Sequence, residues 1–230
     1  MLKGDLKKQA ILDTAENLFF EKGYTNTTID DILTTLKCSK GSLYHHFESK
    51  QQILGELGRQ QAETAFKAYR DTPCENTLER FNTLLYYALP VRKGQERLVA
   101  TSLPLIKTAD HSVLMDAMMQ AQEKLFVPGM QTLLDKMIEE GTAFCDQEFL
   151  PVLIWDTYTA FYRRLLYFGH DVLTGEKQPG DIMPVLISAR FVWERVMDIP
   201  YGTLEIIRVD EVLACIHQAI NHNKYLTAKR

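Results

Sequence analysis

Long apolar segments are absent from this sequence. No stretch reaches the roughly eighteen consecutive apolar residues that a membrane-spanning helix needs, and the first nine residues, Met-Leu-Lys-Gly-Asp-Leu-Lys-Lys-Gln, lack the apolar core of a secretory signal. Cysteine is also scarce, and Cys38, Cys74, Cys145 and Cys215 lie far apart without a Cys-x-x-Cys pair. We therefore expect a protein of the reduced cytoplasm that makes no membrane contact and has no zinc site.

Catalytic motifs are missing as well. The sequence contains no glycine-rich phosphate loop, no His-Glu-x-x-His, no nucleophile elbow and no His/Cys cluster at ligand spacing. The paired carboxylates Asp30-Asp31 and Glu139-Glu140 are interpreted as helix-end charges. We expect no enzyme activity, no catalytic residue, no metal and no cofactor. An enzyme built on a helical bundle stays open as an alternative, and a metal or cofactor bound to the purified protein would favour it.

Excess positive charge is lacking too. The formal net charge is −4, and residues 1–50 hold equal numbers of acidic and basic residues. A protein that coats nucleic acid without regard to sequence is more basic than this. A protein that reads a particular DNA sequence needs donors only on its docking face, so its overall charge can be negative.

The most informative segment that is present is residues 39–50, Ser-Lys-Gly-Ser-Leu-Tyr-His-His-Phe-Glu-Ser-Lys. In a short helix, Leu43 and Phe47 share an apolar face because they lie four residues apart. The other positions are small, hydroxylated, aromatic or imidazole-bearing. A helix that enters a DNA groove needs small residues for close approach and donors for phosphates and base edges. The segment therefore predicts a DNA-reading helix, and the alternative is a solvated surface helix.

The preceding residues predict two more helices. Thr28 followed by Asp31 is close to a capping box, and an apolar stripe follows it at helical spacing (Ile29, Ile32, Leu33 and Leu36). Upstream, Asp5 is a candidate start and Gly23 a candidate end of a longer helix. Ser39 is placed to cap the helix of the 39–50 segment. Three helices with one shared core predict a helix-turn-helix domain whose third helix reads DNA.

These residues resemble the DNA-binding domain of the TetR/AcrR family of transcriptional regulators. The resemblance rests on Thr-Thr-Ile-Asp-Asp-Ile at 27–32, Ser-Lys-Gly-Ser-Leu-Tyr-His-His-Phe at 39–47 and Ser-Lys at 49–50, and covers about the first 55 residues. Beyond them only length and helical character are similar. The family usually has glycine at the turn where this chain has Lys37, so we expect some local strain there.

The resemblance implies roles by position. Tyr44 and Lys50 would bind phosphates, Thr28 would contact the DNA backbone, and the early residues of the reading helix would face base edges. His46 is as easily explained by helix packing. The full predicted DNA-binding set is Thr28, Ser39, Lys40, Gly41, Ser42, Tyr44, His45 and Lys50.

The pattern as a whole predicts an all-α protein of two domains. Residues 1–48 would form the helix-turn-helix DNA-binding domain, and residues 49–230 a larger helical ligand-binding and dimerisation domain. Further helices are predicted over about 50–70, 77–88, 96–108, 112–140 with a kink or break at Pro128-Gly129, 147–169, 182–197 and 210–222. Residues 204–209 are predicted to be extended or irregular. The helix at 147–169 has almost no polar face, so we expect it to be buried on all sides.

A ligand pocket is predicted in the second domain. Methionines at helical spacing make an adaptable apolar wall, and aromatic residues with polar tips suit a site that orients its ligand. The predicted pocket comprises Phe66, Met115, Met118, Met119, Gln122, Trp155, Tyr158 and Tyr162. Ordinary core packing explains these residues nearly as well. Arg163-Arg164 would extend to solvent, or meet an anionic ligand or partner.

The function we predict is sequence-specific regulation of transcription. The protein would be a homodimeric repressor on a near-palindromic double-stranded DNA operator, released by a small hydrophobic or amphipathic effector. The helices at 147–169 and 182–197 are the predicted dimer contact, because apolar residues such as Phe161 and Val192 would otherwise be exposed to solvent. The alternative is a DNA-binding protein of the same fold whose second domain recruits a protein partner and binds no ligand.

Overall fold

The computed structural model describes residues 3–106, 108–144, 150–205 and 208–228, which form helices joined by loops and contain no strand. The helices are α1 (Lys3–Lys22), α2 (Ile29–Leu36), α3 (Lys40–Tyr44), α4 (Lys50–Asp71), α5 (Thr77–Ala88), α6 (Glu96–Ser102), α7 (Ala109–Glu139), α8 (Leu150–Thr174), α9 (Met183–Val196) and α10 (Val209–Ala228). Short 3-10 helices lie at Leu103–Leu105 and Pro179–Ile182. The predicted all-α fold is confirmed. No helix among the described residues is long and apolar enough to cross a membrane.

Local capping explains where the first helices begin and end. Gly23 follows α1 with a φ of 81°, a left-handed conformation that glycine adopts without a steric cost. Thr28 and Asp31 form a full capping box at the start of α2. Ser39 accepts a hydrogen bond from a backbone N–H and so caps α3. Lys37 has a φ of 50°, so the strained turn expected there is present.

Helices α1–α3 and the first turns of α4 form one packed unit, which we call the reading domain. Its core is a separate hydrophobic cluster, with Ile11, Phe19, Ile32, Leu43, Phe47 and Ile53 among its members. Leu105 and Leu114 from the second domain join the same cluster. The reading domain is therefore packed onto the rest of the chain and is not suspended from a linker.

Helices α4 and α7 lie unusually close together. A Cβ at Gly58 would stand 3.0 Å from the Leu114 carbonyl oxygen and 3.3 Å from the Met118 Cβ. Only glycine fits such an approach without separating the two helices. The second and larger hydrophobic cluster contains Met118 and includes residues of α4 to α10.

Helix α7 runs without interruption past Pro128, so the predicted kink or break is not a helix end. Proline removes the N–H that would bond to the carbonyl of Lys124. Lys124 and Pro128 are both exposed, which lets water satisfy that carbonyl. Phe126 and Met130 are fully buried and hold the helix to the core on either side of the proline.

Several other predicted helix bounds were wrong. Helix α6 ends at Ser102 rather than near 108, α8 continues to Thr174, and α10 extends to Ala228. Helix α8 is also not buried on all sides, because Val152 and Leu153 are 45% and 56% exposed. The predicted start of that helix at 147, together with Cys145 and residues 206–207, lies outside the described residues.

Candidate nucleic-acid interface

The outward face of α3 is built by burying the opposite face. Leu43 is fully buried and Phe47 is 2% exposed, which fixes the rotation of the helix on the reading domain. Lys40 and His45 are exposed, and Tyr44 retains 44% of its surface. The Lys40 ammonium lies 5.9 Å from the Tyr44 ring centroid. Gly41 is exposed and Ser42 is half-buried. The structure thus brings five predicted DNA-binding residues together on one accessible surface.

Ser39 and Thr28 use their side chains to cap helices. The Ser39 Oγ accepts a hydrogen bond from the Ser42 N–H at 3.3 Å. The Thr28 Oγ1 accepts from the Asp31 N–H at 3.1 Å and donates to the Asp31 Oδ2 at 2.9 Å. Hydrogen bonding from Lys22, and then from Thr28, lowers the pKa of Asp31 to about 2. Both hydroxyls therefore fix helix starts, and a DNA contact from either remains a prediction.

Lys50 points into the reading domain. Its Nζ donates to the Tyr24 and Thr27 carbonyl oxygens, each at 2.9 Å, and lies 4.2 Å from the Tyr24 ring centroid. Partial burial lowers the pKa of Lys50. The side chain thus ties the loop between α1 and α2 to the start of α4. An ammonium has three donors, so one N–H remains for the predicted phosphate contact.

A polar contact that the sequence did not reveal joins the reading domain to the second domain. The Asp110 carboxylate, in the first turn of α7, accepts hydrogen bonds from the Tyr24 hydroxyl at 3.2 Å and the Gln51 Nε2 at 2.8 Å. We call this contact the Asp110 tie. Residues 24 and 110 are far apart in the chain, and no local pattern marks either one. Only the packing of α7 against the reading domain brings them together.

Sequence comparison matches this reading domain to known proteins. Residues 11–57 match the family model described as bacterial regulatory proteins, tetR family. The biofilm operon icaADBC negative transcriptional regulator IcaR of Staphylococcus aureus (strain Newman) is 52% identical over 46 residues. IcaR of Staphylococcus epidermidis is 41% identical over 64 residues.

The amino-terminal unit is a TetR-family DNA-binding domain. Its predicted identity is therefore confirmed. The IcaR matches cover 20% and 28% of this chain, and 25% and 32% of the relatives. The chain thus spans only about a quarter to a third of the length of these curated relatives.

The fold of the whole chain is nevertheless that of TetR-family regulators. A TetR-family transcriptional regulator from Pectobacterium atrosepticum superposes with a TM-score of 0.61 at 19% identity, over 86% of this chain and 97% of that one. GusR from Salmonella enterica gives a TM-score of 0.57 at 15% identity, over 86% and 98%. At such low identity the likeness shows the fold alone.

The predicted pocket of the second domain is filled by its own side chains. Trp155 stacks on Tyr158 with ring centroids 5.7 Å apart, and Phe126 and Trp155 stack with ring centroids 6.4 Å apart. The Gln122 Nε2 donates to the Ala88 carbonyl at 2.9 Å, and the Tyr158 hydroxyl donates to the Leu85 carbonyl at 2.6 Å. Met115, Met118 and Tyr162 are also buried, whereas Phe66 and Met119 are half-buried.

Helices α8 and α9 leave an exposed apolar face. Its members are Val152, Leu153, Tyr167, Met183, Ile187, Phe191, Val192 and Val196, each between 36% and 56% exposed. Phe161 is not one of them, although the sequence analysis placed it in the predicted dimer contact. It is 5% exposed, and the Trp193 ring of the same chain lies edge-on to it at 5.3 Å. Arg163 and Arg164 are exposed.

Proposed function

We propose that this chain is a sequence-specific DNA-binding repressor of transcription. The observation that carries the proposal is the accessible face of α3 on a TetR-family domain, where Lys40, Tyr44 and His45 offer phosphate and base donors. Small residues beside them allow the helix to approach a major groove closely. IcaR, the relative of this domain, is named a negative regulator, which supports repression as the direction of control.

The repressor acts as a homodimer. A single short reading helix buries too little surface to find an operator, whereas two helices spaced by a whole number of DNA turns read a near-palindrome. The apolar face of α8 and α9 is the surface that would join the subunits. Apolar side chains clustered on two adjacent helices mark an interaction site on a soluble protein, and the two-fold axis of a dimer brings the same face from each subunit together.

Release from the operator follows from binding a small hydrophobic or amphipathic effector in the second domain. The predicted pocket has soft methionine walls, and the Asp110 tie connects α7, which carries Met118 and Gln122, to the reading domain. A ligand that favours a shifted α7 would displace the reading domain and change the spacing of the two reading helices.

A second function for this domain is favoured by one observation. The predicted pocket is filled, and the polar atoms of Gln122 and Tyr158 already have partners within the chain. A DNA-binding protein whose second domain recruits a protein partner would need no ligand cavity. Screening small molecules for thermal stabilisation separates the two proposals, since only the first expects a binder that weakens operator affinity.

Selection of binding sites from random DNA tests the DNA-binding proposal. We expect recovery of a near-palindrome whose half-sites are separated by about one or more helical turns. Lys40→Met should weaken binding to the recovered site and reduce its salt dependence. Lys67→Met is a matched control, because it removes the same charge from an exposed position near the carboxy-terminal end of α4, away from the reading helix. A failure to enrich any sequence would contradict the proposal.

A further inference from the structure

The first half of the loop between α5 and α6, residues 89–92, is buried, which is unusual for an irregular segment. Leu89 and Val91 are 1% and 0% exposed, and Arg92 follows at 8%. The guanidinium of Arg92 lies 5.0 Å from the Tyr87 ring centroid and 5.7 Å from that of Tyr86. A positive charge is thus held inside the second domain, against aromatic rings.

Arg92 forms no ion pair with any residue that the structure describes. Its Nη1 donates to the neighbouring Lys93 carbonyl at 3.3 Å, while its Nε is buried without a hydrogen-bond partner. The structure therefore leaves the buried Nε of this guanidinium unsatisfied.

Glu194, the other buried charged residue of the described chain, shows what ordinary compensation looks like. Its carboxylate accepts from Arg190 Nε at 3.1 Å, from the Gly202 N–H at 2.9 Å and from the Leu204 N–H at 2.8 Å. Burying an ion without such partners is costly. A buried polar group left unpaired in a folded protein calls for an explanation.

The side chains named as acting electrostatically on Arg92 are neutral, and the nearby Glu211 carboxylate is engaged by the Tyr86 hydroxyl, which donates to it at 2.6 Å. Besides Tyr87, its electrostatic neighbours are Tyr86, Tyr158 and Cys215, and burial lowers the pKa of the guanidinium itself. Burial raises the pKa of Cys215 and of Tyr86 to about 12, and that of Tyr158 well above its ordinary value. At neutral pH none of these three side chains carries the negative charge that Arg92 lacks.

We infer that Arg92 anchors the effector, and that this effector is a monocarboxylate with an apolar or aromatic body. The inference rests on the proposed ligand control of the repressor and names the ligand class. The planar edge formed by Nε and one terminal nitrogen matches the two oxygens of a carboxylate. One negative charge neutralises the one positive charge present, and Tyr158, which acts electrostatically on Arg92, belongs to the predicted pocket.

The position of Arg92 also gives such a ligand a short route to the reading domain. Helix α6 begins four residues after Arg92, and its Arg97 Nη2 donates to Asn17 Oδ1 of α1 at 2.6 Å. The Arg97 guanidinium also lies 4.4 Å from the Phe20 ring centroid. A ligand that draws Arg92 toward itself would pull on α6 and, through Arg97, on α1.

The test compares carboxylates with their uncharged amides. Naphthalene-2-carboxylate and 4-phenylbutyrate, each with its amide, are titrated into the full chain while the thermal midpoint and the tryptophan fluorescence are recorded. We expect at least one acid to bind wild type about tenfold or more tightly than its amide, and Arg92→Met to remove that preference. Arg92→Lys should restore it in part, because lysine keeps the charge but not the planar edge. Lys93→Met is the control for loss of a neighbouring exposed charge.

Stability of the unliganded protein gives a second measurement. A buried arginine that serves to bind a ligand lowers the stability of the unliganded protein. Arg92→Met should therefore fold with an unchanged or higher thermal midpoint. If the midpoint of Arg92→Met falls and no acid outperforms its amide on wild type, the inference is overturned. Operator affinity measured without ligand tests the proposed repressor function separately, since DNA binding can persist when carboxylate binding fails.

Discussion

Lys50→Met is the substitution that best separates two roles of one side chain. Methionine keeps the apolar stem but removes the ammonium, so the Tyr24 and Thr27 carbonyls lose donors at 2.9 Å. A hydrogen bond to a charged group contributes about 1.5–3 kcal/mol, and a cation over a ring about 0.5–2 kcal/mol. Because the site is partly exposed we take the low end for each of the two hydrogen bonds and for the ring contact, and expect the free energy of unfolding to fall by about 3.5 kcal/mol. Urea denaturation of the full chain measures it.

The salt dependence of DNA binding measures the other role. If the third N–H of Lys50 also contacts a phosphate, Lys50→Met should flatten the slope of log affinity against log salt by about one unit per subunit. Lys40→Met serves for comparison, because Lys40 is exposed and should change the slope with little effect on unfolding. Wild-type stability in Lys50→Met, within about 0.5 kcal/mol, would refute the argument that this ammonium holds the α1–α2 loop.

Three further predictions follow from single residues. His45→Ala should change which base pairs are preferred in selected sites, and identical preferences in mutant and wild type would show that His45 reads no base. Val192→Asp should dissociate the dimer without unfolding the subunit, as measured by sedimentation and circular dichroism, because Val192 is 44% exposed; sedimentation of the wild type as a monomer would instead rule this interface out. Hydrogen bonding from Arg59, together with Lys8, lowers the pKa of Glu56 from 4.5 to about 2. Its contribution is therefore present above pH 4.5 and lost as the pH falls toward 2, and Glu56→Gln should remove that part of the acid dependence of unfolding.

The sequence predicted the reading domain well because its signals are local. Thr28, Ser39 and Gly23 specify helix ends through hydrogen bonds and backbone angles within a few residues. Leu43 and Phe47 then set the rotation of α3, so the exposed face of the site could also be foreseen.

The second domain was harder to predict because its determinants are long-range. Pro128 marks a helix end by local rules, yet buried residues on both sides carry α7 through it. Arg92 lies in a loop sequence without a motif, and only the folded chain shows that its charge is buried. The inward direction of Lys50 depends in the same way on two carbonyls more than twenty residues away.

The close approach of α4 and α7 at Gly58 also determines how force travels through the molecule. A side chain there would clash with the Leu114 carbonyl, so α4 and α7 can pack side by side in direct contact only because residue 58 is glycine. Two helices in such close contact resist bending more than either helix alone. Met118 of α7 packs against Gly58 and belongs to the predicted pocket, and Asp110 connects the amino-terminal end of α7 to the reading domain. Ligand binding at the pocket should therefore rotate α4 and α7 together. The resulting displacement at the reading domain should increase with its distance from the axis of rotation.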